Sequence, residues 1–211
     1  REAIPDEYER IRWILEHQLY GCAPSNIIYN MVKNYVYAGF PEIEQDNLLE
    51  LDLTEAAKDG RVKQVLAERF GEEMKFDIII GNPPYQEGDG SGASTDAAMP
   101  VYQLFFEESK KLDPNYLSMI IPSKWMIGGR GLKNFREKMI NERRLKIIVD
   151  FEDARLLFPS VHIDGGVCYF LWEKKYNGNP VHKFKSLNGE QIISKRSLKN
   201  FYFDYVIRDN R

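Results

Sequence analysis

Two cysteines and three histidines are all that 211 residues offer to thiol or imidazole chemistry. Cys22 and Cys168 lie in apolar, strand-like runs with no Cys/His ligand spacing around them. That excludes a zinc module and a disulfide-stapled scaffold, and reads as reduced core thiols in a cytoplasmic protein. His17, His162 and His182 have no ligand partners at metal spacing, so no metal is expected. No Ser/His/Asp or Cys/His arrangement suggests a covalent nucleophile. No apolar run approaches a membrane span and no signal peptide is visible, so no membrane partner is expected. Internal repeats and low-complexity tracts are absent. So is a Gly-x-Gly turn after a strand ahead of Leu19-Tyr20-Gly21.

What is present is an ordinary globular composition, 43% hydrophobic and 29% charged, long enough for one sizeable core or a core with an appendage. The net charge of −3 conceals a split. Residues 1–109 carry 9 Lys+Arg against 21 Asp+Glu, while residues 110–211 carry 20 against 11. A basic second half suits a polyanion such as DNA. Beginning at Arg1 rather than Met, the sequence reads as an excised segment of something larger.

Periodicity predicts helices over residues 6–17, from a Ser25 N-cap onward, and over 61–70, 100–112 and 131–142. Strands are predicted near 18–22, 47–51, 76–81, 116–121, 145–151 and 167–172, with shorter strands or loops beyond 177. The Gly-, Ser- and Asp-rich stretch 86–98 reads as a flexible loop, with Gly88, Gly90 and Gly92 supplying mobility. Strands alternating with helices imply a doubly wound α/β sheet.

The most informative segment is Asn82-Pro83-Pro84-Tyr85, directly behind Phe76-Asp77-Ile78-Ile79-Ile80-Gly81. The Ile-rich run reads as a buried parallel strand, and ligands of open α/β sheets bind beyond the carboxyl ends of such strands. Each proline pushes its predecessor out of the α region, so the tetrapeptide is stiff and extended. The Asn82 side-chain oxygen and the Pro83 carbonyl can then accept both hydrogens of a planar exocyclic amine, which leaves its lone pair aimed at a methyl donor. Tyr85 offers a face for stacking. The ordinary alternative is a proline-rich turn with Tyr85 as packing.

On these residues the chain resembles the S-adenosylmethionine-dependent amino-methyltransferases, and more narrowly the N6-adenine DNA methyltransferases of bacterial restriction–modification systems. The resemblance covers most of residues 10–175. It rests also on Leu19-Tyr20-Gly21, Asn47-Leu48-Leu49-Glu50-Leu51-Asp52, Leu117-Ser118-Met119-Ile120-Ile121-Pro122-Ser123, Phe158-Pro159 and the strand ending at Trp172. It implies a Rossmann-like methyltransferase sheet, incomplete at its first strand because the glycine-rich motif lies upstream of this sequence. Residues 1–176 would form the catalytic core. Residues 177–211 would lead toward a downstream target-recognition domain, and a nuclease module of the parent protein is compatible with the family.

The same resemblance assigns site residues. Asn82, Pro83, Pro84 and Tyr85 are catalytic. Gly21, Ala23, Asp52 and Leu53 border the S-adenosylmethionine site, with Asp52 accepting from the cofactor's adenine amine and Leu53 packing on its ring. Ala23 stands where the family places the carboxylate that takes the ribose hydroxyls; either a neighbouring group substitutes or affinity falls. The partner is double-stranded DNA with its target adenine flipped out, gripped by Phe158. Lys124, Arg130 and Lys133, around Gly128-Gly129-Arg130-Gly131, are candidates for phosphate contact. Alternatives are methylation of protein glutamine or RNA guanine, and a catalytically silent binding module.

Overall fold

The computed structural model describes residues 3–44, 46–86, 99–200 and 202–209. The chain forms two compact units, residues 1–72 and 73–211. In the first, helix α1 (Glu7–His17) starts at Asp6, whose carboxylate accepts the Glu9 N–H at 2.9 Å. It is followed by strand β1 (Gly21–Ala23), α2 (Asn26–Val36), β2 (Leu48–Glu50), α3 (Thr54–Lys58) and α4 (Val62–Phe70). The strand expected from residue 18 begins only at Gly21, because the Gln18 N–H still closes α1 on the Ile14 carbonyl. Ser25 caps α2 as its sequence position suggests, accepting from Ile28. β1 and β2 pair in parallel, with Gly21 opposite Leu48 and Ala23 opposite Glu50. Leu15, Tyr37, Phe40, Ile43 and Leu48 make the core of this unit.

The second unit contains β3 (Ile78–Gly81), α5 (Tyr102–Lys111), β4 (Tyr116–Pro122), α6 (Lys133–Asn141), β5 (Leu145–Phe151), β6 (Val167–Glu173), β7 (Val181–Lys185) and β8 (Gln191–Lys195). They form a six-stranded mixed sheet in the order β3-β4-β6-β5-β7-β8. β3 pairs in parallel with β4, and β5 with β7; β6 runs antiparallel between β4 and β5. The carboxyl ends of β3, β4 and β5 therefore open on one end of the sheet, together with the start of β6. Alternation on β4 sends Leu117, Met119 and Ile121 to one face. There they join Phe170 and Trp172 of β6, Tyr102 and Phe106 of α5, and Phe135 and Met139 of α6 in the main core. Ile120, Ile147, Val149 and Phe151 serve a smaller cluster.

Two expectations need correction. Pro100 does not open a helix: it bridges to Gln86, and α5 begins at Tyr102. β3 is not a buried strand. It lies at an edge of the sheet with β4 as its paired neighbour. Ile78 is 64% and Ile80 78% exposed, while Ile79 packs on the core. Ile78 and Ile80, two residues apart, share a face of the strand that stays exposed, while Ile79 takes the opposite face. Of the glycine-rich stretch 86–98, Gln86 takes part in that bridge; residues 87–98, with Gly88, Gly90 and Gly92, lie outside the described residues. Among the described residues no helix is long and apolar enough to cross a membrane.

Candidate active site

β3 delivers the tetrapeptide at its carboxyl end. Pro83 is buried, Tyr85 half-buried, and Asn82 and Pro84 are exposed. The buried ring anchors the segment while leaving its neighbours accessible. Among the described residues the Asn82 side chain has no hydrogen-bond partner. The Asn82 and Pro83 carbonyls accept no backbone hydrogen bond there either. Beyond them the Tyr85 carbonyl accepts the Val101 N–H at 3.3 Å, and Gln86 bridges Pro100, which ties down both ends of the intervening segment. Burial pushes the Tyr85 phenol up, so it stays neutral around pH 7. Chemically this is a pair of neutral acceptors beside an aromatic ring.

The same end of the sheet carries the other residues expected on the target side. A short 3-10 helix, Ser123–Met126, follows β4. Lys124 is exposed and pairs with Asp164 at 2.8 Å, its ammonium holding that carboxyl below the usual range. Arg130 and Lys133 are exposed, in and just after a turn where Gly129 and Gly131 adopt φ of +96° and +74°. A Cβ on Gly129 would come within 2.5 Å of Leu132 Cδ1, so glycine there is demanded twice over. Phe158 is half-buried, its N–H on the Ala154 carbonyl after a second 3-10 turn, Ala154–Leu156.

Beneath these turns lies an assembly that sequence reasoning missed. Asp150 of β5 is fully buried; it accepts from Ser123 Oγ at 2.6 Å and from Arg208 through Nε and Nη2, both at 2.7 Å. Burial pushes the Asp150 carboxyl up, but His182, 3.5 Å away, and the Arg208 guanidinium outweigh it and hold the group below the usual carboxylate range. Arg208 also donates to the carbonyls of Gly165 and Phe151. One guanidinium thus binds the ends of β5 and the approach to β6, and Ser123 links β4 to the same carboxylate. The detectable signal was an acid inside the apolar run Ile147-Ile148-Val149-Asp150-Phe151, which demands a buried partner.

The four residues assigned to the methyl donor belong to the first unit: Gly21 opens β1, Ala23 closes it, and Asp52 and Leu53 follow β2. Asp52 is exposed and uses Oδ1 to accept the Thr54 N–H at 2.8 Å, so it starts α3 with one oxygen and leaves the other. Leu53 follows, half-buried, and Gly21 lies so close to Leu48 that a Cβ would meet its Cδ1 at 2.9 Å. Ala23 is buried and offers no acceptor in its side chain. Directly abreast of it, however, stands Glu50. Its Oε2 accepts from Asn26 Nδ2 at 2.9 Å, and Asn26 Oδ1 in turn accepts from Asn30 at 2.8 Å. Two amides in series orient this carboxylate. The parallel register that places it beside Ala23 is not readable from residue order.

Residues 17–158 match the family described as Eco57I restriction-modification methylase. A curated relative from Mycoplasma pneumoniae, described as an uncharacterized adenine-specific methylase, is 42% identical over 130 residues. That alignment takes in 59% of this chain and 31% of the relative, so the chain spans about a third of the relative's length. Among solved structures, a chain from a type I restriction-modification system superposes with a TM-score of 0.57 at 12% identity, covering 88% of this chain and 36% of that one. A nuclease-deletion mutant of the Type ISP restriction-modification enzyme LlaGI, bound to a DNA substrate mimic, gives 0.57 at 13% identity, covering 88% and 22%. At such identities the likeness establishes the α/β fold alone.

Proposed function

The chain belongs to the Eco57I restriction-modification methylase family, and from that premise we propose that it carries the target-amine half and part of the donor half of an S-adenosylmethionine-dependent methyltransferase acting on N6 of adenine in DNA. The observation that carries the proposal is the state of Asn82: exposed, without a partner among the described residues, at a strand's carboxyl end beside the free Pro83 carbonyl. In this reading the Asn82 side-chain oxygen and the Pro83 carbonyl each accept one N–H of the adenine amine. That draws its lone pair out of conjugation and fixes its direction. Tyr85, a neutral phenol half-buried beside them, stacks on the base. Neither acceptor is a base, so the proton displaced on methylation leaves to water. Lys124, Arg130 and Lys133 neutralise phosphates, and Phe158 grips the extruded base.

S-adenosylmethionine, when bound, supplies an activated methyl group, so positioning accounts for most of the rate. The first unit fits it with one substitution. Asp52 retains a carboxylate oxygen for the cofactor's adenine amine and Leu53 an apolar surface. Ala23 cannot take the ribose hydroxyls, and Glu50, oriented by Asn26 and Asn30, is the neighbouring carboxylate that does. Sequence recognition falls to a further domain of the intact protein, and a nuclease module is compatible with the family.

The test is Asn82→Ala in the intact protein, with transfer of labelled methyl to adenine in duplex DNA as the readout. We expect a loss of about a hundredfold or more, with unchanged circular dichroism. Activity retained at wild-type level would overturn the assignment.

A further inference from the structure

Residues 196–208 cross the second unit as a strap that lacks regular secondary structure over its described positions. It is pinned along its length. Arg196 donates to the Ile207 carbonyl. Arg136 Nε of α6 donates to the Asp204 carbonyl at 2.7 Å, and the Val206 N–H to the Met126 carbonyl at 2.8 Å. Arg208 is plugged into Asp150, and Leu198 and Val206 are part of the main core. Between these pins three large rings remain in water: Tyr202 is 88%, Phe203 50% and Tyr205 39% exposed. The rings of Phe203 and Tyr205 are stacked, 4.8 Å between centroids and 20° between planes.

A free segment would turn such rings inward, since their apolar area is costly to hydrate. Here the pins prevent it, and the rings are presented on a backbone that is already ordered. Their surroundings are not those of an apolar protein contact. Lys199 and Asp204 are exposed, and the Asn200 side chain accepts the Tyr202 N–H at 2.9 Å, so the Tyr202 ring and the stacked Phe203–Tyr205 pair stand in a polar segment. The strap's formal charge is positive, with Arg196, Lys199 and Arg208 against Asp204. The Arg136 that holds Asp204 also donates to the Gly128 and Trp125 carbonyls, which fastens the strap to the glycine turn carrying Arg130. Lys133 lies one helical turn before Arg136 on α6, and both Arg130 and Lys133 are exposed. Aromatic faces beside cations are how proteins hold unpaired nucleic-acid bases and the phosphates between them.

We propose that Tyr202, Phe203 and Tyr205 form a stacking platform for unpaired bases of a DNA strand, with Arg130 and Lys133 supplying the phosphate-neutralising charge. The inference rests on the DNA-directed reading above and extends its contact surface beyond the Asn82 site.

The experiment uses the intact protein and a single-stranded oligonucleotide containing 2-aminopurine, whose fluorescence is quenched by stacking. Wild type is compared with the triple variant Tyr202→Ser, Phe203→Ser, Tyr205→Ser and with Phe203→Trp, which keeps a stacking face. Wild type and Phe203→Trp should bind and quench alike, and the triple variant should bind at least about tenfold more weakly with little quenching. Should the triple variant lose its native melting transition, Tyr202→Ser alone, at the most exposed ring, is expected to weaken binding severalfold. Unchanged affinity and quenching in a folded variant would overturn the proposal. So would unchanged quenching with an altered sedimentation coefficient, which would assign the rings to a protein contact. Methyl transfer to duplex DNA is measured in parallel. Quenching that depends on the rings without any methyl transfer would sink the methylation reading alone. Methyl transfer with quenching indifferent to the rings would sink the platform alone.

Discussion

Single side chains on this protein act by what their neighbours leave undone. The Asn82 amide is unspent among the described residues, and capping Thr54 consumes only one of the two Asp52 oxygens. Glu50 is the opposite case, a carboxylate held in place by a relay of two asparagines. If it stands in for the acid missing at Ala23, Glu50→Gln in the intact protein should weaken S-adenosylmethionine binding about tenfold or more, the scale of a hydrogen bond to a charged group. Calorimetric titration reads this independently of turnover. An unchanged dissociation constant would return the ribose hydroxyls to some other partner. The candidacy of Glu50 was not available from residue order: the motif at 47–52 is visible in the sequence, but its glutamate becomes a candidate only when parallel pairing sets it abreast of Ala23.

At the scale of elements, burial separates what stabilises the second unit from what does not. Leu117 of β4 is fully enclosed, whereas Ile80 of the neighbouring β3 is 78% exposed. Leu117→Ala should cost about 2–5 kcal/mol, and Ile80→Thr less than about 0.5 kcal/mol. Urea unfolding followed by the fluorescence of Trp125 and Trp172, both in the main core, measures the two. The sequence places both residues in apolar strands of similar appearance; only the strand order makes one central and the other an edge. Elements are also joined by charge. Glu142, after α6, accepts from Lys110 of α5 at 2.7 Å and from Arg144 at 2.8 Å. Burial acts to raise its carboxyl, but Arg144 and Lys110 pull it down to about 2. Asp150 is likewise held low. Folded values below unfolded ones mean stability that is complete above the unfolded carboxylate range of about 4 and is lost as pH falls through the folded values. Scanning calorimetry should therefore show the melting temperature falling from about pH 4 toward pH 2. Glu142→Gln should flatten part of that fall.

For the molecule as a whole, charge is the property that reaches furthest. The excess of Lys and Arg in residues 110–211 lies on the unit that holds Asn82. DNA affinity of the intact protein should fall steeply with salt, each phosphate contact adding about 0.9 to the slope of log K against log salt. Lys124→Gln, Arg130→Gln and Lys133→Gln together should reduce that slope by about 2–3 if all three contact phosphate. Fluorescence anisotropy over a salt series decides it, and an unchanged slope removes them from the interface.

The sequence by itself determined the family and most of the elements. Two prolines behind an Ile-rich run impose a stiff tetrapeptide whatever surrounds them, and helix and strand periods are local properties. Tertiary structure alone decided the rest. It put β3 at an edge, inserted β6 antiparallel between β4 and β5, and set Glu50 beside Ala23. It also brought Arg208 onto Asp150 and, by pinning the strap, kept Tyr202, Phe203 and Tyr205 in water. Each of these depends on which distant segments become neighbours. Pairing register and long-range burial fix that, and no window of residues along the chain records either.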